Sequence, residues 1–578
     1  MLATVKERIS NWNPQLVREI KGRWKPRNLV IAVGGSLLSQ ALIYLGFREE
    51  LPSTANQMNR YCVGTPPADE LNAAQFHNPP NNYCLENSAG NFVINWELWW
   101  LDVFTWLSVF FLIVLLVAGT YVLISDLSQE QQKGTLSFVR LTPRSVSNLL
   151  AGKILGVPVL IYTVMLLAFP LHLWAGMAAK IPVSLILGWD LVVVASCVFF
   201  YSAALLYGLV TTGLNGMQSW LGTGIVFAFL LMATKAGYSN ALVNHNPFDW
   251  LTLFYPGKLL PYLIGETPHS LETIGYFNLK EAAALKWYGL PLWNHASSAI
   301  ALLIVNYAWW TYWAWQGLQR CFRNSHSTLF SKQKSFWFTG SITVSLLGFM
   351  YPQTGDPEYV SAELLENFPI LFGIEFAVFL FLIAALSPHR QTLQDWARYR
   401  HQKNDKPTRN LPADLMRGEY SPAGGAIALN LATNSLLIMI AIGFLPLENH
   451  RLFLGGMVLL TSSALLIYAS LAQLLLLMKT PKRGIFATVA VSTLMVVPAM
   501  LDNIFPLPPI VSLTFFPIAA GAHIPSNLLF LTLVAQWAVI ISCNIQLTRQ
   551  LKKAGASSTK SLFSQQKTTP PRLPENAQ

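Results

Sequence analysis

Apolar residues run along this chain in long blocks, and polar residues collect between the blocks. Most blocks approach the roughly 17–25 residues that a helix needs to cross a hydrocarbon core of about 30 Å. The pattern predicts helices over Asn28–Leu45, Leu101–Leu123, Ile154–Trp174, Val183–Val210, Ser219–Ala233 and Ser297–Gln316. A second set follows over Phe336–Met350, Phe368–Leu386, Ala426–Leu445, Leu452–Met478, Gly484–Ala499 and Asn527–Ile545. The expected fold is therefore an all-α polytopic membrane protein of about 12 transmembrane helices in two six-helix halves. Pro509–Ala520 is also apolar, but it is short and proline-rich, which suits a re-entrant or interfacial segment.

Composition sharpens this reading. Of 578 residues, 53% are hydrophobic and only 12% charged, with a mean hydropathy of +0.41; soluble domains carry about 25% charged residues. The net charge of +11 raises nucleic acid as a partner, but its distribution argues for topology instead. With both termini cytoplasmic, about 31 of the 39 Lys and Arg fall inside, whereas only about 9 of the 28 Asp and Glu do. Positive residues stay on the cytoplasmic side during insertion. No basic patch of the kind that binds nucleic acid remains. The first apolar run is span-length and lacks a small-residue cleavage site, so it is expected to act as a signal anchor in a plasma (inner) membrane.

The expected organisation is a lead-in over 1–27, a first half over 28–323, a second half over 324–550 and a disordered cytoplasmic tail over 551–578. The lead-in carries Lys6, Arg8, Arg18, Lys21, Arg23, Lys25 and Arg27. Within it Leu16, Ile20 and Trp24 recur at helical spacing, as in helices that lie in the membrane interface. Outer loops occupy 47–100 and 235–295. Cys62 and Cys84 share the first of these, 22 residues apart in sequence. On an oxidising face they are expected to form one disulfide worth roughly 3 kcal/mol, with two unpaired thiols as the alternative. The second half carries a basic inner loop over 387–425.

The inner loop over 124–153 is the most informative segment. It reads Glu130, then Lys133, Gly134, Thr135 and Leu136, then Leu141, Thr142 and Pro143, and ends on Gly152 and Lys153. Ser128 and Gln131 fit a capping box, Gly134 breaks the helix, and Thr142 with Pro143 fits a helix start. Leu136 with Val139, and Phe138 with Leu141, make two i, i+3 apolar pairs. In order, spacing and placement this segment resembles the type-two ABC exporter permease family over the first six helices. Asn13, Pro14, Arg18 and Glu19 likewise resemble that family's interfacial elbow helix.

The resemblance implies that Glu130, Lys133, Gly134, Thr135, Leu136, Leu141, Thr142 and Pro143 couple the chain to a separate ABC ATPase subunit. It also implies export of lipids, polysaccharides or hydrophobic drugs. Gln391–Arg400 is a candidate for a degenerate second coupling element. No phosphate-cradling G-x-x-x-x-G-K-[ST] loop occurs. The chain is thus expected to be no enzyme and to bind no cofactor, ATP being used by the partner. A homodimer is compatible with the pattern.

Intramembrane charge is costly, so each instance counts. Glu375 is the candidate pathway residue, with a buried structural hydrogen bond as the alternative. Asp102 and Asp190 lie near span ends, where water is expected to solvate them. Asn306, Asn430, Asn434, Gln473 and Gln536 suit interhelical packing bonds, and Trp309, Trp310, Trp313 and Trp315 suit an aromatic belt. His and Cys show no metal-ligand spacing. Two other readings stay open: an ion-coupled secondary transporter, and a non-transporting membrane scaffold.

Overall fold

In the computed structural model of the protein, the described residues are 11–555 except 54–57, 66–80, 212–215, 325, 352–356, 403–410, 448–449, 481, 505–507, 516 and 518–524. Lys6, Arg8, Lys403, Lys406, Arg409 and the tail from 556 lie outside them. Helix makes up 77% of the structure, with almost no sheet. The chain divides into two compact units, 1–325 and 326–578.

The first unit begins with α1 (Pro14–Arg23) and α2 (Pro26–Glu49). A small two-stranded antiparallel ribbon follows, β1 (Met58–Asn59) and β2 (Asn82–Tyr83), pairing Met58 with Tyr83. Then come α3 (Trp96–Gln132), α4 (Thr135–Arg140), α5 (Val146–Gly156), α6 (Val159–Ala178), α7 (Val183–Val210) and α8 (Met217–Tyr238). Short helices α9 (Asp249–Thr252), α10 (Leu260–Gly265) and α11 (Leu279–Ala284) precede α12 (Ala296–Arg323). The second unit contains α13 (Lys332–Leu347), α14 (Pro357–Leu386), α15 (Arg390–Gln402), α16 (Leu411–Arg417), α17 (Gly424–Phe444), α18 (Arg451–Leu476), α19 (Arg483–Ile504), α20 (Pro509–Phe515) and α21 (Ser526–Gly555).

Eleven of the twelve predicted stretches each fall mainly in one helix, and Ile154–Trp174 is divided between α5 and α6 by a turn at Val157 and Pro158. Among the described residues nine are long and apolar enough to cross a membrane: α2, α3, α6, α7, α8, α14, α17, α18 and α21. The shortfall has simple causes. Helix α13 has 16 residues, and the apolar part of α19 ends at Pro498. Helix α12 is long but carries Asn306, Gln316 and Gln319 among its aromatics.

Helix α3 is the axis of the first unit. Its 37 residues rise roughly 55 Å at 1.5 Å each, well beyond the hydrocarbon thickness. It is buried along most of its length, with α6, α7 and α8 packed around it. Helix α2 packs on α6 and keeps most of its apolar surface outward, as a lipid-facing helix does. In the second unit α18 takes the central role, flanked by α17 and α21. The loop 387–425 folds back as α15 and α16. Leu393 of α15 packs with Leu477 and Leu547, while Trp396 and Arg400 both donate to Asp414.

The expected bridge is present: Cys62 and Cys84 are disulfide-bonded, with an S–S distance of 2.02 Å. Asp102 corrects the expectation of a solvated span end. Its side chain is fully buried, paired with Arg60 at 2.7 Å. It also accepts from Tyr61 Oη at 3.0 Å, Thr273 Oγ1 at 2.9 Å and Ile274 N at 3.3 Å. One carboxylate at the start of α3 thus ties both long loops of the first unit to the bundle. Such charge-assisted bonds are roughly twice as strong as neutral ones.

Candidate functional site at the end of α3

The apolar stretch of α3 ends near Ile124, but the helix continues to Gln132 and places Asp126 and Glu130 one turn apart on one side. This corrects the predicted capping box, because Ser128 lies inside an unbroken helix. Helix α1 approaches from the chain start. Asn13 caps it, accepting from Leu16 N at 3.0 Å, and its Nδ2 donates to Asn148 O of α5 at 2.6 Å. Gly152 and Gly156 make this approach possible. A Cβ on Gly152 would lie 2.7 Å from Asn13 Oδ1, and one on Gly156 would lie 2.6 Å from Glu19 Cβ.

The charges of three helices meet in this contact. Lys153, 1% exposed, places Nζ 2.6 Å from Asp126 Oδ2, 2.9 Å from Glu130 Oε2 and 3.9 Å from Glu19 Oε1. Arg18 pairs with Glu130 at 2.8 Å, and Arg23 bridges Glu19 and Asp126. Burial disfavours the Lys153 ammonium, but Asp126, Glu130 and Glu19 outweigh it and raise its pKa. Three carboxylates this close form a cation-sized cage, and the lysine ammonium sits in it.

Beyond Gln132 the chain turns at Gly134, whose φ of +69° lies in the left-handed region that glycine tolerates best. Thr135 donates back to Glu130 O at 3.2 Å, and α4 begins there. The two apolar pairs part company. Leu136 and Val139 are buried, whereas Phe138 is 73% and Leu141 81% exposed. Lys133, Thr142 and Pro143 are exposed as well. The predicted helix start at Thr142 and Pro143 is corrected: Ser145 is the N-cap of α5, accepting from Asn148 N at 3.3 Å, and Thr142 Oγ1 donates back to Val139 O at 2.7 Å. Arg140 lies over the Phe322 ring at 5.8 Å, which fixes the far end of α4 to α12.

Glu375 stands elsewhere, in α14 of the second unit, 3% exposed. Its Oε2 accepts from Asn434 Nδ2 at 3.0 Å, and its Oε1 has no hydrogen-bond partner among the described residues. Asn434 also accepts from Thr343 Oγ1, which lies 3.0 Å from the main-chain O of Thr339, and one turn away Thr339 Oγ1 donates to Asn430, whose Nδ2 donates to Ser335. These bonds link α13, α17 and α14. At the start of α13 Lys332 Nζ donates to Leu415 O at 2.8 Å, Ser421 Oγ at 2.6 Å and Pro422 O at 2.9 Å.

No family model, characterised protein or solved structure matches this chain.

The other amides predicted within spans, Asn306, Gln473 and Gln536, each bond to a group distant in the chain. Asn306 donates to Leu253 O at 3.3 Å, Gln473 to Ser387 Oγ at 2.6 Å, and Gln536 to Thr514 O at 3.0 Å. Trp310 stacks edge-on to Trp250 at 5.5 Å, and Trp315 donates to Ser202 at 3.0 Å. The structure therefore gathers Glu130 and Lys153 with Asp126, Glu19, Arg18 and Arg23, and leaves Lys133, Leu141, Thr142 and Pro143 on the outer surface of the turn. Asp126 was the member that sequence reasoning missed. The i, i+4 spacing of Asp126 and Glu130 on an unbroken helix was the signal for it, hidden by the supposed cap at Ser128.

Proposed function

We propose that the chain is the membrane-spanning permease subunit of an ABC transporter, an exporter in a plasma (inner) membrane, powered by a separate ATPase subunit that binds and hydrolyses ATP. In this reading twelve helices cross the bilayer and both termini are cytoplasmic. The chain binds no cofactor itself. The observation that carries the proposal is the exposed apolar pair Phe138 and Leu141 on α4, a short helix hung from the end of the long axial helix. A partner that seats on α4 pushes directly along α3. The buried ion cluster beneath makes the connection stiff, because Lys153, Asp126 and Glu130 lock α5 and α1 to the same helix end. Closure of the ATPase on ATP then drives alternating access in the bundle.

The test is co-purification of the tagged chain from native membranes, with ATPase activity measured in the eluate. Phe138→Asp and Leu141→Asp touch exposed side chains and leave the fold intact. An ATPase that comes down with the wild type and is lost from both variants supports the reading. Absence of any ATPase from gently solubilised membranes sinks it.

One observation favours a second reading, the ion-coupled secondary transporter. Glu375 is a buried intramembrane carboxylate that keeps one oxygen without a hydrogen-bond partner among the described residues, and such residues mark ion and proton pathways in transporters. Loss of ion-driven transport in Glu375→Gln, with no ATPase bound, is the outcome that this reading expects.

A further inference from the structure

Helices α6 and α7 each pack along α3 and leave a cleft of about 530 Å3 between them. That falls within the range of about 300–1,000 Å3 typical of pockets for small molecules. The walls are mostly apolar, and Leu166, Val194 and Val198 on its rim are 73%, 59% and 41% exposed. On membrane helices such a rim faces hydrocarbon, so the cleft opens sideways to lipid.

One end of the cleft is polar in a specific way. Asp190 lies about two turns into α7. Its Oδ2 is buried and has no hydrogen-bond partner, and no Lys or Arg pairs with it among the described residues. The nearest titratable group is His172 of α6, with Nδ1 3.9 Å from Asp190 Oδ1, too far for a hydrogen bond. We assign the tautomer of His172 from the bonds of Ser108 at its other nitrogen. Ser108 donates its only proton to Phe104 O at 2.7 Å, so at 2.9 Å its oxygen accepts from His172 Nε2–H. Phe104 stacks on the imidazole at 4.6 Å and holds the ring in place. In the neutral ring, Nδ1 therefore presents a lone pair toward a carboxylate. Two acceptors face one gap, and no group among the described residues donates into it.

We propose that this cleft binds an amphiphilic primary or secondary ammonium, with its apolar body between α6 and α7 and its N–H groups shared by His172 Nδ1 and the Asp190 carboxylate. Charge selects the occupant: a cation compensates a carboxylate otherwise left in an apolar wall, whereas an anion or a neutral lipid tail does not. Donor geometry narrows it to an amine that keeps at least two N–H bonds when protonated. The inference is independent of how the chain is powered, since binding needs neither ATP nor a partner.

Dansylcadaverine, a fluorescent lipophilic primary amine, and its N-acetyl derivative make a matched pair of probes for the full chain in nanodiscs. The amine is expected to bind saturably above protein-free nanodiscs, and the acetylated probe at least tenfold more weakly. Asp190→Asn should lose at least tenfold for the amine alone, Asp190→Glu should retain most of it, and Val194→Trp should block both probes. Equal binding of the two probes overturns the proposal, as does unaltered amine binding to Asp190→Asn. Uptake that never saturates also overturns it, because the cleft is then closed by a second copy or filled by an annular lipid tail. If Asp190→Asn fails to fold, the comparison of the two probes on the wild type still decides.

Discussion

Lys258 shows what a single residue can cost. It is 2% exposed in the loop between α8 and α12, donates to Thr252, and has Asp249 nearby. Burial pushes its pKa down to about 8, with Asp249 opposing the shift. The sign of the pH dependence follows. Between about 8 and its ordinary value near 10.4, the unfolded chain binds more protons than the folded one, so stability rises with pH across that window. Below about 8 the protein carries the full cost of the buried charge, on the order of 3 kcal/mol. Lys258→Met should therefore raise the melting midpoint at pH 7 and flatten its rise between pH 8 and 10. A variant that melts lower than wild type at pH 7 would show that the bond to Thr252 outweighs the burial of the charge. From sequence, Lys258 reads as an ordinary loop lysine, because burial of a loop depends on contacts distant in the chain.

At the scale of elements, the joint of α1, α3 and α5 combines small residues with charge. The Gly152-Lys153 pair was visible in the chain, but its purpose was not. Gly152 and Gly156 remove the side chains that would hold α1 away, and Lys153 then neutralises the carboxylates brought together. Removing one partner from a buried ion pair typically costs about 3–5 kcal/mol. Lys153→Met should lower the melting midpoint accordingly and expose the Arg23–Lys25 stretch to trypsin. Replacing Asp126 by Asn in the same variant should recover part of the loss. Cleavage and melting unchanged in Lys153→Met would mean that α1 is held by Asn13 and packing alone. The short helix α4 teaches a related lesson. Its i, i+3 apolar pairs were legible, yet which pair faced inward was not. The turn at Gly134 sets that rotation.

For the whole molecule, the helical membrane character was written into the block lengths. Nine described helices satisfy length and apolarity together, and the other three predicted stretches are helical but short or polar. Orientation rests on charge asymmetry, which is open to direct measurement. In a background lacking the native free cysteines, Lys280→Cys should react with an impermeant thiol reagent in intact cells, and Arg398→Cys only after permeabilisation. Both positions are exposed. The reverse pattern would invert the topology and place α4 on the face where no ATPase operates.

The sequence by itself determined the helical class, the approximate helix positions, the candidate disulfide pair and the turn at Gly134. These depend on local properties: block length, the count of cysteines in one loop, and the conformational freedom of one residue. Only the tertiary structure decided that Asp102 anchors both long loops, that Asp126 joins Lys153, and that Asp190 faces His172 across a cleft. Each of these pairings spans elements separated along the chain, and the cost of burying a charge is set by what the fold places against it.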